Sequence, residues 1–248
     1  MPLAVGRVLI VCEGEETEPN YFRWWQKQLE NIRGAAKSKV VSGINVKNFG
    51  DEIKIKGKGR NTISLVEKAI DIRNQESIDY EQAWCVFDYD SFRENYNPAI
   101  RKARAKDFEV AYSNEAFELW YWLHFDYLQS RTSRREYEEK LTERLGEKYE
   151  KNDPKMYEKL LKHPDADQQQ AIKNAKKLKP SNKSARNYAD HNPSTTVFEL
   201  VESLNDLVWR FRCQVAPAYP LPYPHDCKDC KKSAKPPPPY SCFILKQN

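Results

Sequence analysis

Three carboxylates stand where apolar runs stop. Glu13 directly follows Arg7-Val8-Leu9-Ile10-Val11-Cys12, Asp88 closes Ala83-Trp84-Cys85-Val86-Phe87, and Asp90 comes two residues later. Short β-branched apolar runs that end at a charged loop read as strands buried in a parallel sheet. Ligands of open parallel sheets bind beyond the carboxyl ends of the strands, so these acids converge if their strands are neighbours. On an extended chain Asp88 and Asp90 share a face and Tyr89 points the other way. Converging carboxylates repel one another unless a cation lies between them. All-oxygen ligation suits Mg²⁺ or Mn²⁺ carrying waters and a substrate phosphate, and the chemistry on offer is metal-assisted attack at a phosphodiester. Gly14 lets the backbone turn tightly beside a phosphate. The competing reading is that these acids are solvated or cap the helices that follow.

Other residues are weighed against that constellation. Glu16 and Glu18 are candidates to assist a metal, but acids at this position more often favour the positive end of a helix. Glu118 lies in an otherwise apolar segment, where a buried acid needs a partner. It reads equally as a group supporting the ligands, an extra ligand, or one half of a pair with an arginine. Ser113 and Asn114, at the end of a fourth apolar run, are candidates for the same supporting layer. His124 reads as a hydrogen-bonded core histidine rather than a base. Gly57-Lys58-Gly59-Arg60-Asn61-Thr62 lacks the Gly-Lys-Ser/Thr ending of a P-loop, yet Lys54, Lys56, Lys58 and Arg60 could guide a nucleic-acid strand. His225, Cys227, Cys230 and Cys242 hint at zinc spacing, but one Cys-x-x-Cys without a second pair is weak, and unstructured thiols are the default.

Alternating elements would position the acids. The expected strands are Arg7–Cys12, Val40–Phe49, Ala83–Asp88 and Phe108–Tyr112. A helix capped by Thr17, with Pro19 in its first turn, presents Phe22, Trp25, Leu29 and Ile32 as one stripe. A second helix carries Ile63, Val66 and Ile70, and a short one lies near 98–106. This is an α/β fold with a parallel sheet flanked by helices. After residue 114 the strand pattern ends. A buried helix over 115–127, charged helical stretches over 133–150 and 154–178 (broken around Pro164), and a last helix opened by Pro193-Ser194-Thr195-Thr196 form a helical C-terminal elaboration. The expected organisation is a core over 1–128, the elaboration packing on it over 129–213, and a proline-rich, disordered tail over 214–248.

Bulk composition agrees with a globular protein: 31% of the residues are charged and 40% hydrophobic. No apolar run approaches the roughly 18 residues of a membrane helix, and the first residues turn polar too early for a secretory signal. The expectation is a cytoplasmic protein with no membrane partner. Cys12 and Cys85, inside strand-like runs, read as buried thiols. The net charge is +5, but basic groups are clustered. Lys37, Lys39, Lys47, Lys54, Lys56, Lys58 and Arg60 face only Asp51 and Glu52 within residues 37–60, and residues 168–188 carry six cations and no acid. Basic segments beside an acidic site suit a polyanionic substrate, and the bland alternative is two solvated surfaces.

The stretch Val11-Cys12-Glu13-Gly14-Glu15-Glu16-Thr17-Glu18-Pro19-Asn20-Tyr21-Phe22 resembles the opening motif of the RloB-like family. Phe87-Asp88-Tyr89-Asp90-Ser91-Phe92 resembles its Asp-x-Asp motif. Ser113-Asn114-Glu115-Ala116-Phe117-Glu118-Leu119-Trp120, Leu123-His124-Phe125 and Asn192-Pro193-Ser194-Thr195 resemble later ones. The resemblance runs in order over about residues 7–210. It implies membership of the Toprim-like proteins, found near restriction and phage-defence genes. It also implies Glu13 as general acid or base, with Asp88 and Asp90 holding Mg²⁺. The expected activity is a metal-dependent nuclease acting on DNA or RNA, tRNA included, with defence-system partner proteins or a homo-oligomer as further partners. The alternatives are a non-catalytic nucleic-acid or nucleotide sensor of a defence system and a structural subunit whose aromatic surplus covers a partner.

Overall fold

A computed structural model of the chain describes residues 6–36, 43–48, 62–76, 79–89, 93–179 and 187–215. Strands β1 (Arg7–Cys12), β2 (Gly43–Asn48), β3 (Gln82–Asp88) and β4 (Glu109–Asn114) pair in parallel in the order β2-β1-β3-β4. A two-residue β5 (Ser194–Thr195) adds to β4 antiparallel. β1 and β3 are buried along nearly their whole length, the condition under which a strand reads as an unbroken apolar run.

Each face of the sheet has its own core. Val8, Ile10, Cys12, Trp84, Val86 and Ala111 pack on one face with α1 (Thr17–Ala36), α8 (Val197–Val215) and the elaboration. Leu9, Val11, Ala83, Cys85, Phe87 and Val110 pack on the other with α2 (Thr62–Gln75) and α3 (Arg93–Arg104). Cys12 and Cys85 are both buried and free. The alternation that splits these residues also sends Tyr89 into the second core, against Tyr96. The helix leaving β1 therefore covers one face and the helix leaving β3 the opposite one. With β2 and β3 on either side of β1, a crevice opens beyond the carboxyl ends of β1 and β3, the usual ligand position in an open α/β sheet.

Several sequence expectations change in the structure. The aromatic run over 115–127 yields only a five-residue helix, α4 (Glu118–Trp122), followed by a turn. All five of its residues are buried, so no polar face marked its limits. Pro193–Thr196 does not open the last helix directly: Ser194 and Thr195 form β5, and α8 starts at Val197. Thr17 is the first residue of α1 rather than its cap, and its hydroxyl donates to the carbonyl of Lys151 at 2.9 Å. The charged stretches resolve into α5 (Arg134–Leu145), α6 (Met156–Lys162) and α7 (Gln168–Leu178), with the break at Pro164 between α6 and α7. No helix among the described residues is long and apolar enough to cross a membrane.

Candidate metal centre

Glu13 extends the β1–β3 ladder by one residue, its amide donating to the carbonyl of Val86 at 2.9 Å. Asp88 ends β3 level with Ser113, and the next amide, of Tyr89, donates to the Ser113 carbonyl at 2.8 Å. Both acids line one cavity of about 410 Å³ at the carboxyl rim of the sheet. The rest of the wall comes from Gly14 to Glu18, from Phe117 and Glu118, and from Arg134, Lys151 and Asn152. Among the described residues, six carboxylates (Glu13, Glu15, Glu16, Glu18, Asp88 and Glu118) thus meet two cations, Arg134 and Lys151.

Burial sharpens that imbalance. Glu118 is 1% exposed, Glu18 5% and Asp88 8%. Burial pushes the Asp88 carboxyl well above the usual carboxylate range; Glu18, Glu118 and Glu13 push the same way, and Arg134 opposes them. Burial also raises Glu18 to about 7, with Glu118 adding to the rise and its own backbone amide, Lys151 and Arg134 lowering it. Arg134 Nη2 donates to Asp88 Oδ2 at 3.1 Å. The other oxygen, Asp88 Oδ1, is buried with no hydrogen-bond partner among the described residues. A buried carboxylate oxygen left unmatched is costly, and an oxygen-only donor set of this charge fits a hard divalent cation. No group of three acids, histidines or cysteines at metal-holding geometry occurs among the described residues; Asp90, the second acid of the Asp-x-Asp pair, lies outside them.

A family model, described as RloB-like protein, matches residues 8–204. The chain belongs to the RloB-like family. It matches no curated protein and no solved structure. The match runs from β1 into α8, so every described residue lining the cavity of this RloB-like protein falls within it.

Other candidates are placed differently. Glu16 is exposed at the cavity rim, where its carbonyl accepts from the amide of Asn20 and starts α1. Glu18 sits in the first turn of α1, as expected of an acid at a helix start, but it is buried in the cavity wall instead of solvated. Ser113 and Asn114 do not line the cavity. Ser113 Oγ lies 3.1 Å from Thr195 Oγ1, and Asn114 Nδ2 donates to the carbonyls of Tyr188 and Ala189. Ser113 thus serves the β4–β5 border and Asn114 the turn at Tyr188–Asp190, neither of which a sequence pattern announced. His124 is buried with Nδ1 2.9 Å from the Trp120 carbonyl, and burial lowers it to about 4, as suits a neutral core histidine. Lys176 of α7 and Lys179 just after it pair with Glu202 and Glu199 of α8, so part of the acid-free segment is neutralised in the fold. Lys54, Lys56, Lys58 and Arg60, and His225, Cys227, Cys230 and Cys242 in the tail, lie outside the described residues.

Sequence reasoning did not find Arg134, Lys151 or Tyr149. Ser133-Arg134-Arg135-Glu136 carries a capping-box signature that fixes where α5 begins, but nothing local to it aims Arg134 at an acid forty-six positions earlier.

Proposed function

We propose that this chain is a Mg²⁺- or Mn²⁺-dependent nuclease of the Toprim type, hydrolysing phosphodiester bonds of DNA or RNA. The observation that carries the reading is the pairing of Glu13 and Asp88, at the ends of adjacent parallel strands, in one acid-walled cavity around an unmatched buried oxygen. Asp88, with Asp90 and Glu13, would hold the ion. Bound there, a divalent cation polarises the phosphoryl oxygen and stabilises the leaving one. Glu13, half-exposed at the rim, accepts or returns the proton of the attacking water. Lys151 at the cavity wall, together with Lys54, Lys56, Lys58 and Arg60, draws the strand in against the repulsion of the acids. The setting in this reading is cytoplasmic phage defence.

The test incubates purified full-length chain with Mg²⁺ or Mn²⁺ and a panel of DNA, RNA and tRNA, beside Glu13→Gln and Asp88→Asn. Cleavage should fall by about a hundredfold or more in both variants, the scale of a lost acid–base group or ligand. Equal cleavage by wild type and variants would remove the site assignment. Metal-dependent binding without turnover across the panel would favour the sensor reading instead.

A further inference from the structure

Glu118 is costly to bury. At 1% exposure a carboxylate is stable only with charged or hydrogen-bonding partners. Tyr149 OH donates to its Oε1 at 3.1 Å, and Arg134 Nε stands 3.7 Å from its Oε2. The far end of the same guanidinium donates from Nη2 to Asp88 Oδ2 at 3.1 Å. One rigid planar cation thus spans two buried acids, anchored behind and reaching forward. Asp88 Oδ1 is the oxygen left for a ligand.

We infer that Arg134 is the positioning residue for Asp88: held by Glu118 and Tyr149, it fixes one carboxylate oxygen so that the other is presented to a divalent cation. The inference rests on the metal reading above and adds to it. The strand ends supply acids, and the first turn of α5, in the helical elaboration, aims one of them. A cation that merely waited for substrate would need no buried carboxylate behind it with a tyrosine of its own.

Simple electrostatics predicts the opposite sign, which makes the inference testable. A guanidinium beside a ligand repels an incoming Mn²⁺, so deleting it should tighten metal binding if charge alone matters. If Arg134 positions Asp88, deleting it loosens binding. The experiment titrates Mn²⁺ into metal-free full-length protein and follows the free ion by electron paramagnetic resonance, with no turnover required. Arg134→Gln and Arg134→Lys are both expected to weaken binding about tenfold, the usual scale for groups that orient a ligand. The lysine keeps the charge but lacks the second prong. Tyr149→Phe alters no charge and lies outside the cavity lining, and it should show a smaller loss in the same direction. Melting in metal-free buffer identifies any variant that fails to fold, and Tyr149→Phe keeps the test decisive if the Arg134 variants do. Arg134→Gln binding Mn²⁺ as tightly as wild type or more so, or Arg134→Lys matching wild type with Tyr149→Phe unchanged, overturns the inference. Wild type that binds no Mn²⁺ overturns the metal reading itself, and this inference with it.

Discussion

Gly14 and Glu18 compete for one space. A Cβ built on Gly14 would lie 2.0 Å from Glu18 Oε2, so the missing side chain leaves room for a carboxylate where the chain bends out of β1. The same crowding sets a pH dependence. Glu18 keeps its proton up to about 7 in the fold, against 4.5 ordinarily. The unfolded chain therefore ionises first, and stability falls as the pH rises between those values, fully so above the upper one. Glu18→Gln removes the buried charge. In urea unfolding of metal-free protein it should be more stable than wild type by roughly 3 kcal/mol above about pH 7, with the gain shrinking to nothing below 4.5. A gain that does not vary with pH would mean that folding does not shift the titration of Glu18. Of the residues in the cavity, Glu13 and Asp88 were legible because each ends an apolar run. Glu18 was half-legible, since an acid in a first helical turn is ordinarily solvated. Arg134 was hidden, because its partners lie far away in the sequence.

At the scale of elements, the position of Arg134 depends on how α5 begins. Ser133 accepts from the amide of Glu136 while the Glu136 side chain accepts from the Ser133 amide, and Gly146 closes the other end at φ 67. Ser133→Ala removes half of that box and should cost about 1 kcal/mol. The loss falls on the turn that carries Arg134, so Mn²⁺ affinity should drop together with stability. A stability loss with unchanged affinity would separate the cap from the candidate metal centre. Strands and amphipathic helices were readable in the sequence because their periods survive partial burial. α4 was misread because a segment buried on every side has no period to break. β5 was missed because two residues are too few for a pattern, and its pairing is supported by the Ser113–Thr195 hydroxyl contact.

Across the whole molecule, the proposed boundary near residue 128 divides the sequence more sharply than the packing. One core joins sheet residues such as Val8 and Trp84 to Tyr137, Tyr157, Ile172 and Leu204. Trp25 Nε1 donates to Asn205 Oδ1 at 2.9 Å, and Asn205 Nδ2 donates to Gln168 Oε1 at 3.2 Å, tying α1, α8 and α7 through buried polar groups. A chain ended at 128 would keep α1 on that sheet face but lose α8 and the rest of the elaboration, exposing apolar residues now buried between them. It should show no cooperative thermal transition and should bind a hydrophobic dye, whereas in the full chain tryptophan fluorescence and far-ultraviolet circular dichroism should report coincident transitions. A truncated chain that melts cooperatively would establish an independent core.

The segment beyond Asn192 also settles one flank of the sheet. Thr196 gives its amide to the carbonyl of Tyr112 and its hydroxyl to that of Val110, and its Oγ1 accepts the Tyr112 amide. Threonine hydroxyls thus stand in for a longer neighbouring strand, and the chain turns at once into α8. A second molecule arriving at this border meets backbone groups already spoken for, so self-association by strand addition is blocked there. Among the described strands, the opposite edge of the sheet is β2, which pairs only with β1.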